Sequence, residues 1–395
     1  MTLHDGRRSH GPFVLRPGGA RPAGISHYCP GGRDHGGGIG RMVGNIADAA
    51  ASGIAALPGT GADTAPHDHV IRDTRGPRLN PLTSPLRLIW VIMLLLRDRV
   101  CDPGRIHHFH IAGRGSTWRK LILTTVARSL GARHVLHLHD YDYRQDFVRR
   151  PRPMRRLICR MFRGADAVVV LGQRDRAMVA DLLGVSRRRI TVMANAVPDP
   201  GPSPIKAELP INILFLGRLG PRKGVPELLD ALTRIPDLPW RAVLAGDGPV
   251  VQYRQQAEAL GLGARITMPG WLDSAGVTAL CRKADILVLP SHAEGLAMAL
   301  LEGLAHGLAV VTTRVGAHDE VITEGVSGLF VPVGDPAALA RTLEGLILDP
   351  ALRAHLGAGG RRLYQAGFGM GLYIDRLDRL YDRIDARRAP APVPT

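Results

Sequence analysis

Asp285-Ile-Leu-Val-Leu-Pro290-Ser-His-Ala-Glu294-Gly-Leu-Ala-Met-Ala-Leu-Leu-Glu302-Gly-Leu-Ala-His-Gly307-Leu-Ala-Val-Val-Thr-Thr313 is the stretch whose pattern decides the fold. Ile286 to Leu289 is a short unbroken apolar run, the mark of a strand buried on both faces. Pro290 stops it. Leu296 to Ala305 is rich in Ala and Leu and reads as a helix. Gly307 caps that helix, and the β-branched run from Leu308 to Thr312 reads as the next strand. Strand, helix and strand form a βαβ unit, in which helix N-termini collect anions.

Glu294 stands at the expected helix entrance and Glu302 eight residues on, a rise of roughly 12 Å. That exceeds the roughly 5–9.5 Å between the carboxyl groups of a hydrolytic pair. The spacing suits a long ligand gripped at two points, with its charged middle over the helix N-terminus. A nucleotide-sugar has that shape. Dipole compensation by Glu294 beside a solvated Glu302 produces the same spelling, so spacing alone leaves both readings open.

The run Ser291-x-x-Glu294-Gly-Leu-x-x-x-Leu-Leu-Glu302-Gly-x-Ala-x-Gly-Leu-Ala-Val-Val resembles the E-x7-E signature of retaining glycosyltransferases of family four, which have the GT-B fold. The resemblance implies an α/β protein of two Rossmann-like, doubly wound domains facing across a cleft. It places Glu294 at the donor sugar and Glu302 on the ribose hydroxyls, with Gly295 and Leu296 in the donor site between them. Leu296 stands where the family often has an aromatic residue.

The 395 residues suffice for two domains with sizeable cores. Cys29, Cys101, Cys159 and Cys281 lie far apart with no C-x-x-C, which suits a reducing compartment and argues against a zinc site or disulfide framework. The net charge of +16 is unevenly placed. Residues 1–200 carry 31 Lys+Arg against 15 acidic residues, none of them Glu, and residues 201–395 carry 20 against 20. The excess belongs to one half, which should meet something anionic; biased base composition is the other source of such arginine. Nucleic acid fits poorly, because the basic runs lack interleaved aromatics.

Residues 1–23 are basic and rich in Gly and Pro, without the apolar core of a signal peptide, and read as a disordered leader. Residues 24–197 read as the first domain, the acceptor side in the resembled family. Ile25 to Cys29 is its first strand. The glycines that follow it match the family's glycine loop, with Gly37 and Gly38 as the pair that approaches the ligand. Leu86 to Leu96 is eleven residues, too short for the roughly 20 that span a bilayer, and is expected as a buried helix or a surface-lying one. Ser116 is expected to cap the helix after Ile106 to Ile111, with Arg114 and Lys120 suited to an anion. His134 to His139 is a strand with His137 and His139 on one side. His139, at its C-terminal end, matches the family's histidine near the transferred sugar. Asp140-Tyr-Asp142 spells a metal-diphosphate motif of another fold; the resemblance implies no metal and no cofactor. Residues 149–163 hold seven Arg among apolar residues and read either as a packed basic helix or as one resting on anionic lipid.

Asn195-Ala-Val197 resembles the family's turn at the domain junction, and residues 198–210, with five prolines, read as a linker. Residues 211–370 read as the nucleotide-sugar domain. There Arg218 and Lys223 match the family's phosphate-binding pair. Leu363 to Arg388 is expected as one helical segment, with 371–388 crossing back to the first domain and 389–395 a loose tail. The implied reaction is retaining transfer of a hexose from a nucleotide-sugar to a hydroxyl. A lipid-linked or saccharide acceptor in exopolysaccharide assembly is expected, at the anionic inner face of the cytoplasmic membrane. A GT-B-fold sugar-nucleotide epimerase and a non-enzymatic anion-binding protein are the alternatives.

Overall fold

The computed structural model describes residues 24–52, 67–77, 80, 83–201 and 209–388. The expected leader, the tail 389–395 and linker residues 202–208 lie outside the described residues. Among the described residues, six strands precede the linker: β1 (Ile25–Cys29), β2 (His69–Asp73), β3 (Ile106–Ile111), β4 (Arg133–Leu138), β5 (Ala167–Val170) and β6 (Ile190–Val192). Six follow it: β7 (Ile211–Leu216), β8 (Trp240–Ala245), β9 (Ile266–Gly270), β10 (Ile286–Leu289), β11 (Ala309–Thr313) and β12 (Leu329–Val331). They form two six-stranded sheets, ordered β2-β1-β3-β4-β5-β6 and β12-β11-β10-β7-β8-β9, with every pairing parallel. The strand order reverses between β1 and β3 in the first sheet and between β7 and β10 in the second. Open α/β sheets bind ligands at the carboxyl ends beside such switch points.

Central strands such as β3, β5 and β10 are buried throughout, because helices cover both faces. One face of the first sheet, bearing Phe109, Leu136 and Val168, packs under Val91, Leu123 and Ile158 of the helices Thr83–Cys101, Arg114–Ser129 and Arg152–Arg163. The other face, bearing Ile106, Val135 and Val169, packs under Met42 and Ile46 of helix Gly37–Ala51 and Ile374 and Leu377 of helix Met370–Arg388. The last helix of the chain therefore completes the first domain.

Several local expectations change. Helix Thr83–Cys101 buries Val91 and Leu95 but leaves Leu86 at 66%, Trp90 at 64%, and Ile89 and Met93 more than half exposed, so it is not a buried helix. In residues 149–163 the apolar side is packed, with Ile158, Met161 and Phe162 in the core and only Leu157 turned outward. Gly113 rather than Ser116 occupies the N-cap of helix Arg114–Ser129; the Ser116 hydroxyl accepts from the Ala112 N–H at 3.3 Å. Lys120 is fully buried and donates to Thr74 Oγ1 at 2.9 Å, so it offers no surface to an anion. Leu363 to Arg388 is not one helix. It breaks at Phe368 and Gly369, where Val197 forms a parallel bridge to Gly369 and its N–H donates to Phe368 O at 3.2 Å. β2, with the polar sequence His-Val-Ile-Arg-Asp, is a half-buried edge strand that no apolar run announces.

Candidate functional site

The carboxyl ends of the two sheets face each other across a cleft of about 730 Å³. Gly37, Gly38 and His139 line it from the first domain, and Arg218, Lys223, Glu294, Gly295, Leu296 and Glu302 from the second. The structure thus brings together all nine residues singled out in the sequence. Gly37 and Gly38 are not in a loop: they form the first turn of helix Gly37–Ala51. Helix Met298–Ala305 begins two residues later than expected, so Glu294 lies in the turn before it. The two glutamates are therefore not separated by eight residues of helical rise.

That turn is held by glycine at two close approaches. Gly224 has φ 72°, and a Cβ there would stand 2.0 Å from Pro290 O; Gly316 has φ 57°, and a Cβ there would stand 2.1 Å from Gly295 O. With no side chains at these points, the segments after β7 and β11 close on the Glu294 turn. Arg222 Nη1 donates to Ala293 O at 2.7 Å, the Ala317 N–H to Gly295 O at 2.8 Å, and Asn195 Nδ2 to Leu296 O at 2.9 Å.

The Glu294 carboxylate is buried. Lys223 Nζ pairs with its Oε1, the Ser291 hydroxyl donates to the same oxygen at 3.0 Å, and Arg222 Nη1 lies 3.7 Å away. Arg218 is 68% exposed and lies 3.6 Å from Asp247 on the cleft wall. At the other end of the cleft, Glu302 Oε1 accepts from Arg41 Nη1 at 2.6 Å. Each of the two carboxylates is thus paired with a cation of the cleft wall, Glu294 with Lys223 and Glu302 with Arg41.

His139 is half-buried at the cleft wall. Its Nε2 contacts His110 Nδ1 at 2.9 Å, and burial lowers its pKa to about 3, so the ring is neutral. Burial raises the Asp140 pKa, and the carboxyl is tucked against Gly113, where a Cβ would stand 1.8 Å from Oδ2. Among the described residues, the His, Cys, Asp and Glu groups close enough to hold a metal are His27/His108/His110 and His110/His137/His139. Neither includes Asp140 or Asp142.

Arg41 and Tyr141 were not foreseen. Arg41 follows Gly37 and Gly38 by four and three residues, a helical spacing that places all three on one face. Tyr141 carries the Arg222 guanidinium 4.8 Å from its ring centroid, a contact between domains that no local pattern encodes.

Residues 36–199 match the family model described as Glycosyltransferase Family 4, and residues 203–363 match Glycosyl transferases group 1. The phosphatidyl-myo-inositol mannosyltransferase of Mycobacterium leprae is 34% identical over 177 residues, covering 44% of this chain and 46% of its own length. The chain thus spans about half the length of that relative. The lipopolysaccharide core biosynthesis glycosyltransferase LpsE of Rhizobium meliloti is 28% identical over 70% of this chain and 79% of its own. Sucrose-phosphate synthase from Thermosynechococcus elongatus superposes with a TM-score of 0.74 at 19% identity, over 92% of this chain and all of that one. Anabaena HepE, in a complex with UDP-glucose, gives 0.68 at 16% identity, over 91% and 99%. These two likenesses concern the fold, which is GT-B. With both of its domains matched by the paired family models and the E-x7-E residues on the cleft wall, the chain belongs to the family-four glycosyltransferases.

Proposed function

We propose that the chain transfers a hexose from a nucleotide-sugar to a hydroxyl of a lipid-linked glycan acceptor, with retention of anomeric configuration and without a divalent metal. The observation that carries this reading is the convergence of Arg218, Lys223, Glu294 and Glu302 on the cleft beside the β7/β10 switch point. The donor diphosphate lies over the start of helix Met298–Ala305, between Arg218 and Lys223. Charge-assisted hydrogen bonds there stabilise the leaving diphosphate. Glu302 takes the ribose hydroxyls and Glu294 the sugar hydroxyls. Glu294 is already engaged by Lys223 and Ser291, which suits positioning rather than proton abstraction. A diphosphate oxygen then takes the acceptor proton, as the E-x7-E resemblance implies. HepE, with a similar fold, is described in a complex with UDP-glucose, and LpsE with lipopolysaccharide core biosynthesis; both support the donor and acceptor classes.

The acceptor half supports a membrane-surface site. Leu86, Ile89, Trp90 and Met93 form an exposed apolar stripe on helix Thr83–Cys101, and Trp118 and Ile122 add to it from the neighbouring helix Arg114–Ser129. Among the described residues no helix is long and apolar enough to cross a membrane, and the attachment proposed here is peripheral, through this stripe at the inner face. The test is a donor screen with several nucleotide-sugars and a lipid-diphosphate saccharide acceptor, in chelator, with the product anomer read by NMR. Retained configuration at undiminished rate is expected. Inverted product, or activity restored only by added metal, overturns the corresponding part.

A further inference from the structure

Behind His139 the sheet carries a row of histidines. His69 on β2, His27 on β1, His108 and His110 on β3, and His137 on β4 with His139 just beyond it all project to one face. Four of them join head to tail. His139 Nε2 lies 2.9 Å from His110 Nδ1, His110 Nε2 lies 3.0 Å from His27 Nδ1, and His27 Nε2 lies 2.8 Å from His69 Nδ1. One end opens on the cleft at His139. The other ends at His69 Nε2, which is buried and without a hydrogen-bond partner among the described residues.

The hydrogens of such a chain are countable. Burial and neighbouring imidazoles keep the inner rings neutral, so each carries one N–H. His27 and His110 have both nitrogens in contacts, so each donates once and accepts once. All three contacts therefore point the same way. The chain has only two arrangements: a hydrogen left over on His69 Nε2, or one left over on His139 Nδ1. The first buries an N–H with no acceptor. The second leaves a bare lone pair there, which costs less. A parallel row has the same polarity open to it: His137 Nδ1 meets His108 Nε2 at 3.3 Å, His108 Nδ1 meets Tyr381 Oη at 2.7 Å, and His137 Nε2 ends buried and unpartnered.

We propose that His69, His27 and His110 are positioning residues that fix His139 in its Nδ1–H tautomer, so that it presents a hydrogen-bond donor to the cleft. What His139 donates to rests on the function proposed above: a hydroxyl or ring oxygen of the donor sugar. The tautomer itself does not rest on it.

The experiment uses the full chain labelled with 15N-histidine. Two-bond correlations from ring carbon protons report which nitrogen is protonated, and the His139 signal is assigned by its loss in His139→Gln. The wild type should show Nδ1–H at His139. An Nε2–H signal there overturns the proposal. So does purified protein that retains stoichiometric zinc on these rings, because a metal would replace the shared hydrogens. Two substitutions at the far end then test the coupling. In His69→Asp a carboxylate oxygen stands near the former Nδ1 and can only accept. Every contact must reverse, and His139 should convert to Nε2–H. In His69→Asn the amide can still donate, and His139 should stay Nδ1–H. Should His69→Asp fail to fold, the wild-type tautomer remains decisive. An unchanged His139 tautomer in folded His69→Asp overturns the proposal. Turnover separates the two layers of inference. A fall of about tenfold in kcat with the inverted tautomer fits a lost hydrogen bond to the sugar. An inverted tautomer with unchanged kcat leaves the chain standing and removes His139 from the sugar site.

Discussion

Arg41 of the first domain and Glu302 of the second, 261 positions apart, meet across the cleft at 2.6 Å. The pair is largely shielded, with side-chain exposures of 27% and 13%. Glu302 is the carboxylate assigned to the ribose, so Arg41 and the donor compete for it. Arg41→Ala should cost about 1 kcal/mol of stability without ligand. Nucleoside diphosphate should then raise the melting temperature more in the variant than in the wild type, because ribose hydroxyls replace the lost partner. A smaller ligand-induced rise in Arg41→Ala would place Arg41 on the ligand itself.

Glu294→Gln keeps the volume and the Ser291 contact but removes the charge that Lys223 faces. Transfer should slow by about a hundredfold or more, in line with loss of one preorganised polar contact at a reacting centre. Circular dichroism should show the fold retained. Unchanged turnover with the true donor and acceptor would remove Glu294 from the sugar site.

Replacing Arg218 and Lys223 by Ala together should weaken nucleoside diphosphate binding by at least tenfold for each charge-assisted hydrogen bond lost, at about 1.5–3 kcal/mol each. Binding of the nucleoside alone should change far less. Calorimetry with both ligands checks this, and equal losses for the two would sink the diphosphate clamp.

The exposed stripe on helix Thr83–Cys101 makes a prediction of its own. Vesicles containing anionic lipid should sediment the protein, and binding should fall as salt rises, because each basic residue near such a surface contributes about 1 kcal/mol. Ile89→Ser with Trp90→Ser should weaken binding at every salt concentration, since both side chains lie more than half exposed. Binding that ignores these substitutions would move the contact to the arginines of Arg152–Arg163.

The histidine row makes the fold acid-sensitive. Burial holds His69 at about 4 and His108 and His139 at about 3, below the unfolded value of 6.5. As the pH falls below 6.5 the unfolded chain binds protons first, so stability drops, by at most about 1.4 kcal/mol per pH unit for each such group. Urea unfolding at pH 7.0 and 5.5 should show the loss, with the paired change His108→Leu and Tyr381→Phe reducing it. A flat profile between these values would contradict the neutral, buried row.

The strands and the second-domain wall of the cleft were legible because they are local. An apolar run before Pro290 needs nothing beyond its own residues to be a buried strand, and Glu294 and Glu302 sit within one motif. The misreadings share a cause. Leu86 to Leu96 is as apolar as a core helix, and only tertiary packing leaves its Leu86 and Trp90 facing outward. Lys120 reads as a ligand-ready cation until β2, an edge strand without an apolar signal, leads to Thr74 beside its amine. The histidines were visible singly, at positions 137 and 139. Their head-to-tail order depends on the sheet register that sets β1 and β4 on either side of β3.

The helix Met370–Arg388 bears on the order in which the molecule is made. Tyr373, Leu377 and Tyr381 fill the core over β1 and β3, and Tyr381 touches His108, yet they leave the ribosome after the whole second domain. Domains usually fold as units, the N-terminal one first during synthesis. Here the first domain to be translated is the last to be completed. Until residue 388 emerges, its sheet lacks half the cover on one face, and the imidazoles there stay open to water. Truncation anywhere before that helix should thus damage the first domain, which lies farthest from the cut in sequence.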